Sequence, residues 1–180
     1  MVVPWEVGLD KSTPMNKEVM WNNMKAFKGA MDKHGIPFII MFGGLLGLVR
    51  GGELIDGDDD VDVACFSEDH RNISHVINDL KSKGFYIPDK NECPMHDHFF
   101  IRDGEKIEIW WFDKIGSERI YCNIVRYPAH YFETSATFNH KGINWPIPSN
   151  AKKFLELTYG PSWETPQKNG SYQQGLGKGV

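Results

Sequence analysis

The order of apolar patterns along this chain predicts an α+β domain with a mixed β-sheet flanked by helices. Three observations carry that reading. Helical stripes open and close the chain, Val61, Val63 and Cys65 alternate with Asp60, Asp62 and Ala64, and Asp103-Gly104 sits between two apolar runs as a hairpin turn does.

A first helix is expected to start near Thr13-Pro14, because threonine caps helices and proline suits the first helical position. Met20, Met24, Phe27 and Met31 then form one apolar stripe, which stops before Gly35-Ile36-Pro37. Residues 38–42 read as a short buried strand, followed by a Gly43-Gly44 turn and a short helix through Arg50. Val61, Val63 and Cys65 alternate with Asp60, Asp62 and Ala64, the period of a strand. Ser67 is expected to cap a helix that buries Ile73, Val76, Ile77 and Leu80 and ends at Gly84. Further strands are expected at residues 85–87, 98–102, 106–112 and 119–125. A last helix, capped near Ser149 or Asn150, carries Ala151, Phe154, Leu155 and Thr158 on one face and stops at Gly160-Pro161.

Composition excludes several classes. With 180 residues, 41 % hydrophobic and 24 % charged, the chain has the balance of a folded globule. A net charge of −4 provides no basic field for nucleic acid. The longest apolar run, residues 38–49, is interrupted by Gly43, Gly44 and Gly47, so no membrane span is expected. No basic flank precedes an apolar stretch near the start, which makes the cytoplasm the expected location. Cys65, Cys93 and Cys122 are too widely spaced for a redox pair or a four-cysteine zinc site.

Chemistry concentrates in Asp56-Gly57-Asp58-Asp59-Asp60-Val61-Asp62. Five neighbouring carboxylates repel one another, so stability alone does not gather them. A solvated acidic loop accounts for Asp56, Asp58 and Asp59 as well as any role does. Asp60 and Asp62 differ, since alternation puts both on one strand face, about 6.6 Å apart. Two hard oxygen ligands on a rigid strand suit a cation such as Mg²⁺. An EF-hand reading fails, because Val61 stands where the loop needs glycine and Ser67 where it needs glutamate. Upstream, Gly43 and Gly44 allow backbone N–H groups at a helix start to approach a phosphate, with Arg50 as a counter-charge. Glu108 lies in a strand otherwise too apolar for an inward carboxylate, and a buried glutamate needs a cation or a donor. It is the third candidate acid.

The segments Gly43-Gly44-Leu45-Leu46-Gly47-Leu48-Val49-Arg50, Asp58-Asp59-Asp60-Val61-Asp62, Ile107-Glu108-Ile109-Trp110 and Tyr159-Gly160-Pro161-Ser162-Trp163 together resemble the motifs of the LicD/fukutin family, in order. That resemblance covers roughly residues 16–168 and implies a nucleotidyltransferase-like fold. It implies a catalytic domain over residues 1–166, followed by a polar, glycine-rich tail over residues 167–180. It further implies transfer of a phospho-alcohol, such as phosphocholine or ribitol phosphate, from a CDP-linked donor to a sugar or glycan hydroxyl. Mg²⁺ or Mn²⁺ would be held by Asp60 and Asp62, with Asp58 assisting. Glu108 would serve as general base or as metal support, and Gly43, Gly44 and Arg50 would hold the donor phosphates. Two features depart from the family pattern: Asp56-Gly57 replaces the usual Pro-Trp, and from the chain's short length no extra module for a glycan acceptor is expected. The donor alcohol and the acceptor therefore stay open.

Two other functions fit the same acids. One is transfer of a nucleoside monophosphate from an NTP to a small molecule; the other is a non-catalytic nucleotide-binding module on an inherited fold. His96 and His98 flank Asp97 near Cys93, but a polar loop explains them better than zinc, since no third ligand stands at a diagnostic spacing. Tyr159, Trp163 and Lys168 are candidates for the pocket border, with packing under the last helix the simpler account of both aromatics.

Overall fold

A computed structural model describes residues 14–88, 98–134 and 136–166. Thr13, Cys93, His96, Asp97, Lys168 and the tail lie outside the described residues. The elements run α1 (Lys17–Lys33), β1 (Ile39–Ile40), α2 (Phe42–Gly51), β2 (Asp60–Phe66), α3 (Ile73–Ser82), β3 (His98–Arg102), β4 (Glu105–Ile115), β5 (Glu118–Tyr121) and β6 (Val125–Pro128). A short α4 (His130–Glu133), β7 (Ala136–His140), β8 (Ile143–Ile147) and α5 (Ala151–Tyr159) complete the order.

The main sheet is mixed and ordered β1-β2-β4-β5-β6, with β3 also paired to β4. Among the described residues only β2 and β4 pair in parallel; β1, β3, β5 and β6 join by antiparallel ladders. Such an arrangement is the α+β architecture expected. Strand β4 reaches further than residues 106–112, because its first half pairs with β2 and β3 while its end turns into the β5 hairpin.

Alternation gives the sheet two unlike faces. Val61, Val63, Ile107, Ile109 and Phe100 are fully buried. Phe27 of α1 packs edge-on against Phe100, with a centroid separation of 5.4 Å. The methionine stripe of α1 is core, as expected: Met20, Met24 and Met31 are all buried. On the other face, Phe112 joins Tyr121, Tyr127 and Phe132, and Phe154 of α5 lies 4.6 Å from Tyr127. Among the described residues, no helix is long and apolar enough to cross a membrane.

Several local expectations are corrected. Helix α1 begins at Lys17 rather than near Thr13-Pro14, because the Asn16 side chain accepts the Val19 N–H and supplies the cap. The strand at 38–42 shrinks to Ile39–Ile40. Met41 N–H donates to Asp62 O, Leu45 N–H donates back to Met41 O, and Gly43 and Gly44 fall inside the first turn of α2 instead of preceding it. Ser67 opens a 3₁₀ turn over Ser67–Asn72, where Glu68 is anchored by Arg119 at 2.7 Å, and α3 starts only at Ile73. Residues 85–87 contribute one bridge, Tyr86 to Ile101. The strand expected at 119–125 is broken at Cys122 and Asn123, which both turn left-handed and fold it into a hairpin. The Asp103-Gly104 turn forms as expected, with positive φ at both residues.

Candidate active site

Parallel pairing of β2 and β4 aligns Asp60 with Lys106, Asp62 with Glu108 and Ala64 with Trp110. Registered neighbours in a sheet point to the same face, so the acids of two strands separated by 46 positions in the pairing become adjacent. Carboxylate oxygens of Asp60, Asp62 and Glu108 all lie within 4.8 Å of one another. The three acids singled out in the sequence therefore come together. Asp58 does not join that trio; it groups with Asp59 and Asp60. Asp56 is exposed and pairs with Lys17 at 2.5 Å.

Two further residues complete this face. Lys106 Nζ sits 2.8 Å from Asp60 Oδ2 and 3.5 Å from Glu108 Oε2, over the Phe99 ring. Trp110 donates its indole N–H to Asp62 Oδ1 at 2.9 Å, with its ring between Phe42 and Tyr121. Sequence reasoning missed both. The available signal was parity, since Lys106 and Trp110 flank Glu108 at two-residue spacing on one strand.

The charges are poised by this crowding. Burial, then the neighbouring Asp60 and Glu108 charges, push the Asp62 carboxyl well above its ordinary value, against the opposing pull of Trp110 and Lys106. Burial and Asp60 raise Asp58 to about 6. Burial works to lower the Lys106 ammonium, but the surrounding carboxylates outweigh it and hold its pKa above normal.

Helix α2 packs onto the acidic segment through its glycines. A Cβ on Gly43 would collide with the Asp58 carboxylate, and one on Gly44 would press on Ile40 and Val61 at 3.1 and 3.3 Å. A Cβ on Gly47 would stand 2.9 Å from the backbone nitrogen of Ile55. Close approach of the backbone thus explains all three. Phe42, the first residue of the helix, has φ 41°, a left-handed value at a bulky residue.

A cavity of about 830 Å³ opens beside this helix, lined by Gly43, Gly47, Arg50, Asp58, Asp60 and Asp62, with Lys17 and Tyr159 among its walls. Gly44 faces the core rather than the cavity. Glu108 reaches the trio from β4 and does not itself line this space. Glu53, on the same wall, accepts the Trp21 indole N–H at 2.6 Å, and Trp21 stacks on His140. Trp163 is buried, while Tyr159 borders the cavity. His98 lies in register with Ile109, and its Nδ1 accepts the Trp111 indole N–H at 2.9 Å. Of the cysteines, Cys65 is buried and Cys122 exposed.

The solution and crystal structures of ANT(2″)-Ia share this fold. The crystal structure, in complex with adenylyl-2″-tobramycin, matches with TM-score 0.54 and 14 % identity over 81 % of this chain and 77 % of that one. The solution structure gives 0.56 and 13 % over 84 % and 78 %. Likeness at that identity shows the fold. In sequence, the chain is 24 % identical over 159 residues to human ribitol 5-phosphate transferase FKRP, covering 77 % of this chain and 31 % of the relative. The mouse protein of the same name is 25 % identical over 152 residues, 74 % of this chain and 29 % of its own length. The chain thus spans about a third of the length of these curated relatives. The model of the LicD/FKTN/FKRP nucleotidyltransferase domain matches residues 35–150, which contain the glycine helix, both acidic strands and the cavity wall between them. By that match over most of its length, the chain belongs to the LicD/FKTN/FKRP family and carries its nucleotidyltransferase domain.

Proposed function

We propose that this chain transfers a phospho-alcohol of the ribitol-phosphate or phosphocholine type from a CDP-linked donor to a sugar or glycan hydroxyl. The observation that carries the reading is the convergence of Asp60, Asp62 and Glu108 from two strands beside a cavity that also receives Gly43 and Arg50. The name of the human and mouse relatives, ribitol 5-phosphate transferase, supports a phospho-alcohol as the group moved.

An all-oxygen donor set fits Mg²⁺ or Mn²⁺. The crowding that raises the Asp62 pKa supports the same fit, since a divalent ion relieves both the repulsion and the cost of burial. Asp60 and Asp62 would hold the ion, with Asp58 beside them and Glu108 supporting from β4. Bound there, the ion supplies neutralisation of the charge on the donor diphosphate.

The chain's own groups do the rest. The start of α2 offers N–H groups that the helix does not consume, at Gly43 on the cavity wall. Arg50 brings positive charge to the same wall for the donor phosphates. Glu108 orders the acid cluster from β4, as support for the metal-holding aspartates rather than as base for the attacking hydroxyl. Its place behind the cavity lining favours the supporting role.

The test is product analysis with CDP-ribitol or CDP-choline and a panel of sugars, with and without Mg²⁺. CMP release that requires the ion and stops in Asp62→Asn is the expected result. Pyrophosphate release from an NTP would replace this reading with nucleotidyl transfer. Undiminished turnover by Asp62→Asn would remove the metal assignment.

A further inference from the structure

Glu53 stands on the cavity wall just after α2 ends at Gly51 and Gly52 turns left-handed. Its carboxylate is held from behind. Oε1 accepts the Trp21 indole N–H at 2.6 Å and the Leu54 N–H at 2.9 Å. His140 stacks on Trp21 at 4.3 Å, and its Nδ1 donates to Gly52 O at 3.1 Å. Oε2 is left over. His140 Nε2 lies 3.6 Å from it and Lys141 Nζ 3.8 Å, both beyond hydrogen-bond range, so among the described residues nothing donates to this oxygen. The buried His140 Nε2 itself has no hydrogen-bond partner among them. Burial works to raise the Glu53 pKa, but the Trp21 and Leu54 donors and the charges of His140 and Lys141 outweigh it and hold the group below its ordinary value. An anion therefore faces the cavity at neutral pH. Stability does not call for that charge, because a neutral amide oxygen would serve the Trp21 indole as well. Phosphate is repelled by it and belongs with Gly43 and Arg50, whereas a neutral hydroxyl or amino group is drawn to a carboxylate. From Gly43 to Arg50 the helix rises about 10 Å, the reach of a diphosphate and the sugar bonded to it. Phosphates held along that helix thus carry a nucleoside toward Glu53. Asp56, the other acid of this stretch, is 97 % exposed and paired with Lys17.

We infer that Glu53 selects the donor by accepting hydrogen bonds from its nucleoside, through the ribose hydroxyls or an amino group on the base. This rests on the nucleotide-donor reading above and deepens it, adding the residue that reads the nucleoside. Glu53 takes no part in bond making, and Trp21 and His140 position its carboxylate.

Calorimetric titration of the full chain with CMP, dCMP and UMP in Mg²⁺ tests this without turnover. The wild-type chain is expected to bind CMP about tenfold more tightly than at least one of the other two. Weak dCMP binding assigns the contact to the ribose 2′-hydroxyl, and weak UMP binding assigns it to the amino group of the base. Glu53→Gln, which keeps an oxygen for Trp21 and Leu54 and removes the charge, is expected to lose the preference. No preference for CMP in the wild type overturns the inference. A preference that Glu53→Gln retains overturns it too, even where that variant binds all three more weakly, because a merely structural role lowers them alike. Glu53→Asp, which withdraws the carboxylate by one methylene, replaces that variant should it not fold. A wild-type chain that binds none of the three overturns the nucleotide-donor reading as well, which separates the two failures.

Discussion

Trp110 holds Asp62 across a strand boundary: the indole N–H of one donates to Oδ1 of the other at 2.9 Å, two residues along β4 from Glu108, the register partner of Asp62. A hydrogen bond to a charged group contributes about 1.5–3 kcal/mol. The ring also fills the space between Phe42 and Tyr121, at 4.9 and 4.5 Å.

Trp110→Phe separates these two roles. The phenyl ring keeps most of the packing and loses only the donor, so Mn²⁺ affinity is expected to fall about tenfold, the equivalent of about 1.4 kcal/mol. The melting temperature should drop by only about 2–4 °C. Calorimetric titration and thermal melts check both; unchanged Mn²⁺ affinity would show that Asp62 needs no orientation.

Asp60 and Asp62, alike in the sequence, are expected to answer differently to amidation. Asp62→Asn removes a carboxylate strained by burial and by two like charges while keeping an oxygen for Trp110, so the metal-free melting temperature should rise. Asp60→Asn leaves Lys106 without its 2.8 Å partner, so that temperature should fall. Turnover should vanish in both. Melts in chelator, set beside activity, decide the matter.

Asp58 gives a pH signature. Its folded pKa of about 6 lies above the ordinary carboxylate value of 3.8, so the folded state holds the proton more tightly than the unfolded one. That contribution to stability is complete below pH 3.8 and is lost as pH rises through about 6. Metal-free Asp58→Asn should therefore be more stable than wild type at pH 7, with the gap closing toward pH 4. Melting curves across that window test the sign.

The glycines of α2 should separate by what they touch. In Gly43→Ala the new methyl meets a side chain, the Asp58 carboxylate, which can rotate away. Cavity chemistry should suffer more than stability, and Asp58→Ala should partly restore the fit, with a coupling of about 0.5–3 kcal/mol in a double-mutant cycle. In Gly47→Ala the methyl meets the backbone of Glu53 and Ile55, which cannot yield as easily. That variant should lose about 1–3 kcal/mol of stability in denaturant titration.

Local periodicity made much of this molecule readable before any coordinates. Met20 to Met31 announced a buried helical face, and the parity of Asp60 and Asp62 put two acids on one side of a strand. Glu108 stood out because its neighbours are apolar. What stayed hidden depends on pairing between distant segments. Nothing in Lys106 distinguishes it from a surface lysine until β4 lies parallel to β2 in the register that sets it beside Asp60. The Asn16 cap prevailed over Thr13-Pro14 because Glu105, on another element, accepts the Asn16 N–H at 2.8 Å. Strands β7 and β8 escaped notice because Asn139, Asn144 and Pro146 dilute the strand signal, and proline usually marks an edge.

The most direct measurement is anomalous diffraction from crystals grown with Mn²⁺. Convergence of the two strands predicts a manganese peak within bonding distance of Asp60, Asp62 and Glu108, with Lys106 still on Asp60. Manganese bound elsewhere, or a Glu108 carboxylate turned away from both aspartates, would contradict it.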